Sequence, residues 1–465
     1  MKIVYQKQKL GKENRIPIKL FLIYIVFTFI FFAVGPIKYE YINNYFLLVL
    51  FMSVFLVVGF LLFNLGTKIL IRAPRFKCPF EPIRFVKFSL VYSVIMYFLM
   101  VVFDAKNHGF SFSLSVFYSN FFTTMAETYT DVNFITSPAK YMASYTTWIE
   151  VIALVGGVYY FRKLKPLYRF LFYAVIFLHV FDVVFFVGSQ KQLMDILIYI
   201  SIPFFIKRIK NGKRVSRKNL LILIFGLIAV VLLLGNIMQA RSDLWTARYN
   251  SKHILSGAVI DKNNFIYKIL PSFIANPFVS VMRYLSQGYR GLALCLTLPF
   301  EWSMGFGSSF KWMNDFSKWF SVPLSLIENS YPVRMEEVYH IKAYASWHTI
   351  FPWFASDFTW LGAIIIVSAF LFYWGKAWRE ALKFDSLPAL LLFSHLCIFV
   401  IYIPCNNQLF QTRVSIITTV MIILIWYLYH GVSDVNEYDS SIKSEPDLES
   451  PYLDSDNTEA LNELD

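Results

Sequence analysis

The sequence predicts an all-α polytopic integral membrane protein with about ten transmembrane helices and a large extracytoplasmic loop between helices seven and eight. Of the 465 residues, 57% are hydrophobic and only 16% are charged, whereas soluble proteins carry about a quarter charged residues. The apolar residues lie in long runs with few charges, which are long enough to cross roughly 30 Å of hydrocarbon as helices. The distribution of the basic residues is the third observation that leads to this fold class.

Ten apolar runs are the predicted membrane spans. They lie at about 20–34, 45–66, 88–103, 145–161, 167–187, 192–206, 219–237, 358–374, 387–404 and 409–430. The first run has no small-residue cleavage site after it, so it is predicted to be a retained helix and not a signal peptide. Residues 1–19 form a basic N-terminal segment, residues 20–237 hold helices one to seven, and residues 347–432 hold helices eight to ten.

Basic residues mark one side of the predicted bundle. The N-terminal segment and the loops 68–87, 162–169, 207–218 and 376–383 are rich in lysine and arginine, and the loops of the opposite side hold few. Because basic loops stay in the cytoplasm, both termini are predicted to lie there. The net charge of +13 is interpreted as this topology signal in preference to nucleic-acid binding.

Two segments outside the spans have distinct compositions. The segment 238–346 is too long for a simple connector and is predicted to be a functional extracytoplasmic loop. Its apolar stretch 265–302 is interrupted by prolines, which favours interfacial or re-entrant half-helices; a small extracytoplasmic subdomain is the alternative. The acidic residues 433–465 are predicted to form a disordered cytoplasmic tail.

Several polar side chains lie where lipid would reject them, and each is a candidate for function. Asp182 lies in the fifth span, Lys191 and Asp195 are four residues apart at the start of the sixth, and Arg413 opens the tenth. These residues are expected either to converge into one polar pocket at the outer leaflet or to form internal ion pairs. In the second case Asp182 pairs with Lys191 or Arg413.

Two deeper polar residues are given a structural interpretation. Glu150 and His395 lie well inside the fourth and ninth spans. Because an unpaired polar group in hydrocarbon is costly, they are expected to form interhelical hydrogen bonds. The cysteines carry no metal-binding spacing, and a Cys295–Cys405 disulfide is conceivable, but inert buried thiols are the preferred reading.

The large loop holds an arrangement of arginines that is typical of anion binding. Arg283, Gln287 and Arg290 are spaced to lie on one face of a helix that starts near Pro277. Two guanidinium groups on one face suit bidentate recognition of a phosphate or diphosphate. Arg241, just after the seventh span, belongs to a second pair of arginines with the same seven-residue spacing. Headgroup-facing or solvated arginines are the alternative, but together they favour an anionic lipid substrate.

His348 and Asp357 lie at the outer mouth of the eighth span among tryptophans. A histidine here is suited to act as a general base near neutral pH, and a structural hydrogen bond is the alternative. The sequence has no Gly-rich phosphate loop and no HExxH motif, and its one DxD triplet, at 454–456, lies in the acidic tail. No metal or cofactor is therefore predicted.

Three segments carry a recognisable combined pattern. They are VGSQKQLMDIL at 187–197, YLSQGYRGLALCLTLPFEWSMGFGSS at 284–309 and WHTIFPWFASDFTWLG at 347–362. Together they resemble the Wzy-type oligosaccharide repeat-unit polymerases of bacterial O-antigen and capsule assembly, through a Gly-Ser-x-Lys turn, a Gly-x-Gly turn and an aromatic-Thr, Asp-Phe, Gly pattern. The sequence departs from that pattern at Gln190, where arginine is often expected, and at Thr359, where glycine is usual.

The resemblance implies a glycosyltransferase in the bacterial cytoplasmic (inner) membrane that joins oligosaccharide repeat units carried on undecaprenyl diphosphate at the outer face. Such a reaction needs cations for the departing diphosphate and a base for the acceptor hydroxyl. The implied partners are the lipid-linked oligosaccharide, the lipid bilayer, and a chain-length regulator and flippase of the same pathway; nucleic acid is not among them.

The resemblance also suggests roles for individual residues. Arg283 and Arg290 would bind the diphosphate, and His348 or Asp357 would be the base, with Glu301 in reserve. The helpers and supporting polar residues are Arg241, Lys191, Arg413, Gln287, Asp182 and Asp195.

Two other functions stay open at this point. An O-antigen ligase-like transferase would share the architecture and differ in its acceptor. A transporter or flippase for a polysaccharide or lipid-linked substrate would use Asp182, Lys191 and Arg413 as a translocation path. A scaffold that docks partners through its acidic tail is a third and more distant alternative.

Overall fold

The computed structural model describes residues 12–40, 42–69, 81–108, 138–187, 189–211, 225–226, 228–240, 258–309, 318–321, 328–341, 343, 346–384 and 386–429. Within these residues the chain is a bundle of α-helices with one two-stranded sheet. The helices of the first half are α1 (Ile16–Val34), α2 (Tyr45–Lys68), α3 (Pro82–His108), α4 (Pro138–Tyr160), α5 (Pro166–Asp182), α6 (Gln190–Lys210) and α7 (Ile228–Ala240).

The second half contains shorter helices followed by three long ones. Its helices are α8 (Phe265–Ile269), α9 (Ser272–Ser286), α10 (Gly288–Cys295), α11 (Tyr331–Tyr339), α12 (Phe351–Lys383), α13 (Leu387–Tyr402) and α14 (Arg413–Tyr429). The predicted regions 1–11 and 433–465, and Arg241 with much of the segment after it, lie outside the described residues.

Five helical stretches among the described residues are long and apolar enough to cross a membrane. They are Glu13–Val34, Tyr45–Lys68, Pro82–Lys106, Pro166–Val187 and Phe351–Lys383. They coincide with the predicted spans one, two, three, five and eight, and this is the architecture of an α-helical membrane protein. The other five predicted spans lie on α4, α6, α7, α13 and α14, which are shorter or less apolar, so the number ten stays a prediction.

The helices α2 and α12 form the most extensive helix contact among the described residues, and glycines allow their close approach. A methyl group on Gly66 would lie 2.1 Å from the carbonyl oxygen of Phe372, and one on Gly375 would lie 2.5 Å from that of Phe63. Small residues allow two backbones to approach this closely, and the contact area gained replaces the hydrophobic drive that lipid does not supply. The Gly66 and Gly375 positions therefore set the separation of the two helices.

Polar contacts at the end of the same helix pair tie down the C-terminus of α2. Arg379 is buried and donates a hydrogen bond from Nη1 to the carbonyl oxygen of Thr67 at 2.8 Å. The last carbonyl groups of a helix have no partner within the helix and carry partial negative charge, so a guanidinium there is stabilising. The adjacent Glu380 accepts a hydrogen bond from Nε1 of Trp426 on α14 at 2.8 Å.

The helix α12 begins earlier than the predicted eighth span and contains a break. It starts at Phe351, and Thr359 within it has φ 64° and ψ 173°. This backbone region is populated almost only by glycine and costs a β-branched residue roughly 1–3 kcal/mol. Thr359 is therefore a strained position at which α12 bends.

A small sheet connects the end of α1 to the second half of the chain. Strand β1 (Ile37–Tyr39) pairs antiparallel with β2 (Ala258–Ile260), with Tyr39 opposite Ala258. Lys38 and Asp261 form an ion pair of 2.8 Å beside it. The sheet brings Tyr39 next to the helices that follow β2.

The helices after β2 correct one prediction. Pro277 lies inside α9, which starts at Ser272, and Arg283 and Arg290 lie on the successive helices α9 and α10, not on one helix. The backbone hydrogen-bonding pattern changes at Gln287, because the amide of Arg290 bonds to the carbonyl of Gln287, three residues back and not four. The preferred reading of the cysteines is confirmed, since Cys295 and Cys405 are buried free thiols.

We predict that Gly66→Ala lowers the free energy of unfolding by about 1–3 kcal/mol, because the added methyl group forces α2 and α12 apart. The measurement is the thermal unfolding midpoint of the purified protein in detergent. Gly226→Ala is the matched control, since a Cβ at Gly226 meets nothing within 4 Å. Equal midpoints for the two variants would contradict the glycine contact.

Candidate functional site

Two of the three family-like segments pack against each other at one end of the bundle. The amide of Thr349 donates to the carbonyl oxygen of Cys405 at 2.8 Å. A methyl group on Gly291 would lie 2.7 Å from Cα of His348, and one on Gly288 would lie 2.2 Å from the carbonyl oxygen of Pro404. We call the region formed by 284–309, 346–357 and 402–411 the motif junction.

Asp357 holds the motif junction together. Its Oδ1 accepts hydrogen bonds from the amides of Gly305 at 3.0 Å and Gly307 at 2.9 Å, and its Oδ2 accepts one from Ser308 at 2.8 Å. Charge-assisted bonds of this kind are about twice as strong as neutral ones, and successive amides form a concave anion cradle. The carboxylate therefore fixes the Gly-x-Gly turn on the first turns of α12.

The two glycines of this turn are required for different reasons. Gly305 has φ +86°, a left-handed conformation that L side chains rarely adopt. Gly307 approaches α12 so closely that a methyl group on it would lie 2.4 Å from Cβ of Ser356. The Gly-x-Gly spacing thus has a backbone explanation, and the Asp357 interaction depends on it.

His348 is fully buried beside this turn. Its Nε2 lies 2.7 Å from the carbonyl oxygen of Ala343 and donates to it, which assigns the proton to that nitrogen. Burial lowers the pKa of His348 to about 4, because a low-dielectric environment disfavours the charged ring. A neutral histidine held in this way matches the structural reading that the sequence left open.

Glu301 is the most exposed of the three base candidates. Its side chain is 49% exposed and pairs with Arg334, whose Nη2 lies 2.7 Å from Oε1 of Glu301. Arg334 is oriented in turn by a hydrogen bond from Nη1 to the carbonyl oxygen of Pro299 at 2.7 Å. The ion pair holds the carboxylate of Glu301 at the surface. In the sequence, Glu301 lies just before the Gly-x-Gly turn.

Arg283 and Arg290 converge on Tyr39 although they lie on different helices. The guanidinium of the buried Arg290 lies 5.8 Å from the centre of the Tyr39 ring. Burial raises the pKa of Tyr39 to about 12, and the positive charges of Arg283 and Arg290 act in the opposite direction. The two arginines therefore lie close enough to act on the same group, as the predicted anion site requires.

The environment of Arg283 favours an anionic ligand. Burial lowers the pKa of Arg283, which means that its charge is poorly solvated. Within the described part of the chain, Arg283 forms no ion pair with a carboxylate. Gln287 contributes its backbone between the two arginines, since its amide donates to Arg283 and its carbonyl accepts from Arg290.

Tyr39 is a site residue that sequence reasoning did not identify. It lies in a three-residue strand, and the only local signal is the polar Lys38 between two apolar neighbours. Its position beside the arginines follows from pairing with β2, more than 200 residues later in the chain. Such a long-range pairing leaves no pattern in the local sequence.

The third family-like segment reaches the motif junction through Lys191. Its Nζ forms an ion pair of 2.5 Å with Asp195 and lies 5.9 Å from the centre of the Tyr402 ring. Tyr402 belongs to the junction, since its carbonyl oxygen accepts a hydrogen bond from the amide of Cys405 at 2.9 Å. Internal ion pairing is thus correct for Lys191, but its partner is Asp195 and not Asp182.

The remaining predicted polar residues fall into separate groups. Arg413 lies 5.8 Å from the ring centres of both Tyr141 and Tyr145 on α4. Asp182 lies next to Asp104 on α3. The proposed pairing of Asp182 with Arg413 is therefore wrong, and the contacts between the described residues do not gather Asp182, Lys191 and Arg413 into one pocket.

The predicted interhelical hydrogen bonds are confirmed. Glu150 accepts a hydrogen bond from the hydroxyl of Tyr97 at 2.6 Å and pairs with Nδ1 of His179. His395 joins three helices, with Nδ1 2.8 Å from the hydroxyl of Tyr199 and Nε2 2.8 Å from Oγ1 of Thr419.

We predict that Asp357→Ala lowers the free energy of unfolding by about 3 kcal/mol, because three amides lose a charged acceptor. Asp357→Asn should cost less, since its Oδ1 still accepts from Gly305 and Gly307. Chemical denaturation in detergent measures both, and Glu301→Gln at an exposed carboxylate is the control, with an expected cost under about 1 kcal/mol. An Asp357→Asn protein with wild-type stability and no activity would favour the base role instead.

We also predict an acid sensitivity that His348 causes. An unfolded histidine binds a proton near its ordinary pKa of 6.5, and native His348 binds one only near 4. Stability is therefore lost as the pH falls from 6.5 to 4, by about 3 kcal/mol for this residue. His348→Gln keeps the donor to Ala343 and should flatten this part of the stability profile, whereas the exposed His340→Gln control should not. An unchanged profile in His348→Gln would contradict the assignment.

Comparison of the chain with protein-family models, curated proteins and solved structures finds no match. Among the described residues, no group of three or more histidine, cysteine, aspartate and glutamate side chains is arranged to hold a metal ion. The functional roles of the site residues consequently rest on their geometry, and on the resemblance of the three segments that meet at the motif junction.

Proposed function

We propose that the protein is a polysaccharide polymerase that joins undecaprenyl-diphosphate-linked oligosaccharide repeat units at the outer face of a bacterial cytoplasmic membrane. The observation that carries the proposal is the convergence of Arg283 and Arg290 on Tyr39 at the edge of the motif junction. The three segments that resemble the polymerase family are the ones that border this junction.

The two arginines suit the chemistry of the leaving group. When the anomeric carbon of the growing chain is attacked, its bond to the lipid diphosphate breaks and the diphosphate keeps the electron pair. Guanidinium groups that are already fixed in a partly buried site stabilise this developing charge without reorganisation. Arg283 forms no ion pair with a carboxylate among the described residues, so its guanidinium is placed to receive the substrate.

Glu301 is the base that we propose for the acceptor hydroxyl. His348 donates to a backbone carbonyl, and both oxygens of Asp357 accept backbone amides. These two residues are therefore assigned positioning roles. The carboxylate of Glu301 is exposed and its partner Arg334 holds it in place, so that an acceptor glycan can reach it.

The helices before Arg283 support a substrate with a lipid chain. Ile269 on α8 and Phe273 on α9 are each 72% exposed, and Phe265 is exposed as well. Short helices with exposed aromatic and aliphatic side chains typically lie in the membrane interface. Along α9 the exposed apolar side chain of Phe273 is followed by the cation of Arg283. A polyprenyl diphosphate has the same order, an apolar chain that ends in an anionic group.

Arg283→Ala and Arg290→Ala should each lower the rate of glycan elongation by about 100-fold, the typical effect of removing one oxyanion-stabilising donor. The assay uses the full chain in liposomes with lipid-diphosphate-linked repeat units and no ion gradient, and measures the ladder of lengthened glycans. Lys268→Ala, at an exposed lysine on α8, should stay within about twofold of the wild type.

Other outcomes of the same assay separate the alternatives. Transfer of a finished glycan to a different acceptor without a ladder would favour an O-antigen ligase-like enzyme. Transport of the lipid-linked substrate that depends on an ion gradient, with no new glycosidic bond, would favour a transporter or flippase. Wild-type elongation by well-inserted Arg283→Ala and Arg290→Ala proteins would refute the assigned diphosphate site.

A further inference from the structure

Two buried carboxyl groups lie in contact between α3 and α5, away from the arginine site. Asp104 is 1% exposed and Asp182 is 2% exposed, and their side chains are within hydrogen-bonding range of each other. The Oδ1 of Asp182 is buried and has no hydrogen-bond partner. Two ionised carboxylates do not form a hydrogen bond, because neither has a proton to donate.

The neighbouring acidic residues each have a basic partner of their own. Nζ of Lys140 on α4 lies 2.5 Å from Oδ2 of Asp104. Nδ1 of His179 on α5 pairs with Glu150 on α4.

On α6, Lys191 pairs with Asp195 at 2.5 Å. Asp104, Glu150 and Asp195 are thus each paired with a basic side chain. Asp182 is the fourth carboxyl group of this cluster, and it forms no such pair among the described residues. The titratable groups that act on Asp182 are Asp104 from α3, Lys140 from α4 and His179 from its own helix, and Tyr97 of α3 also lies near it.

The backbone at Asp182 changes at the same place. The helix α5 ends at Asp182, and a π-helical turn, Val183–Val187, follows it directly. Such turns are rare and occur mostly at functional sites. Asp104 lies near the end of the span Pro82–Lys106 and Lys140 near the start of α4, so the cluster is close to one end of the bundle and within reach of the aqueous phase.

We propose that Asp104 and Asp182 form a proton-binding site that holds one shared proton at neutral pH. A second negative charge beside Asp104 would be buried with Lys140 as the one lysine or arginine that acts on Asp182 among the described residues, since His179 is already paired with Glu150, and burying an unbalanced charge costs several kcal/mol. Adding one proton leaves a neutral acid that donates to the neighbouring carboxylate, and the remaining negative charge is balanced by Lys140. The proton comes from water at this end of the bundle. The site is independent of the proposed polymerase activity, which does not use these residues.

Infrared spectroscopy of the full chain in liposomes at pH 7 tests the proposal through the carbonyl-stretch band of a protonated carboxylic acid. The wild type should show this band, and both Asp182→Asn and Asp104→Asn should lose one protonated carboxyl per chain. The signal is the difference between wild type and variant, so that other buried carboxyl groups such as Glu380 cancel. Asp261→Asn removes a partly exposed carboxylate that is also paired with a lysine, and it should leave the band unchanged.

Isotope labelling keeps the test independent of how the variants fold. The component of the band that Asp182→Asn loses is the one to assign. Aspartate labelled with 13C at its carboxyl carbon should shift this component in the wild-type protein, whereas labelled glutamate should leave it unshifted. A wild type and an Asp182→Asn protein with identical bands at pH 7, or assignment of the lost component to glutamate, would overturn the proposal. A band that appears only when sodium is removed would also overturn it, because a metal cation would then be the native ligand.

Discussion

The carboxylate of Asp357 accepts three backbone amides, and the geometry of the candidate site depends on this interaction. It fixes the turn Gly305–Ser308 on the start of α12. The same turn accepts a hydrogen bond from Nδ2 of Asn407 at the carbonyl oxygen of Ser308, 2.9 Å away. Three segments that are distant in sequence are joined in this way, and a charged acceptor is strong enough to offset the cost of ordering them.

The position of Asp357 is itself set by the packing of α12 on α2. Gly66 and Gly375 bring the two helices into backbone contact, and Arg379 caps the end of α2 from α12. Because a helix is rigid between its breaks, the contact determines where the part of α12 after Thr359 lies. The break at Thr359 then redirects the first turns of α12, so that Asp357 points at the Gly-x-Gly segment and not along the axis of the long helix.

Buried carboxyl groups serve two different purposes in this protein, and their partners distinguish them. Both oxygens of Asp357 accept backbone N–H groups, which makes this side chain a structural anchor. Among the described residues Asp182 has a carboxyl group beside it and no such amide at its Oδ1, which is the arrangement that we propose binds a proton. The arginines present the complementary case, in which positive charge is brought together around Tyr39.

The sequence alone determined the α-helical membrane architecture, five of the apolar helices, and the buried thiols and hydrogen-bonded polar groups, because hydrophobic length and charge are local properties of the chain. It did not determine that Gln287 separates Arg283 from Arg290 onto two helices, that Asp195 takes Lys191, or that Tyr39 joins the arginines. These contacts depend on which segments meet, and Tyr39 reaches its place only through a strand pairing that spans more than 200 residues. Nor did local pattern separate a base from an anchor at Asp357, because the three amides that occupy it become its neighbours only after the chain has folded.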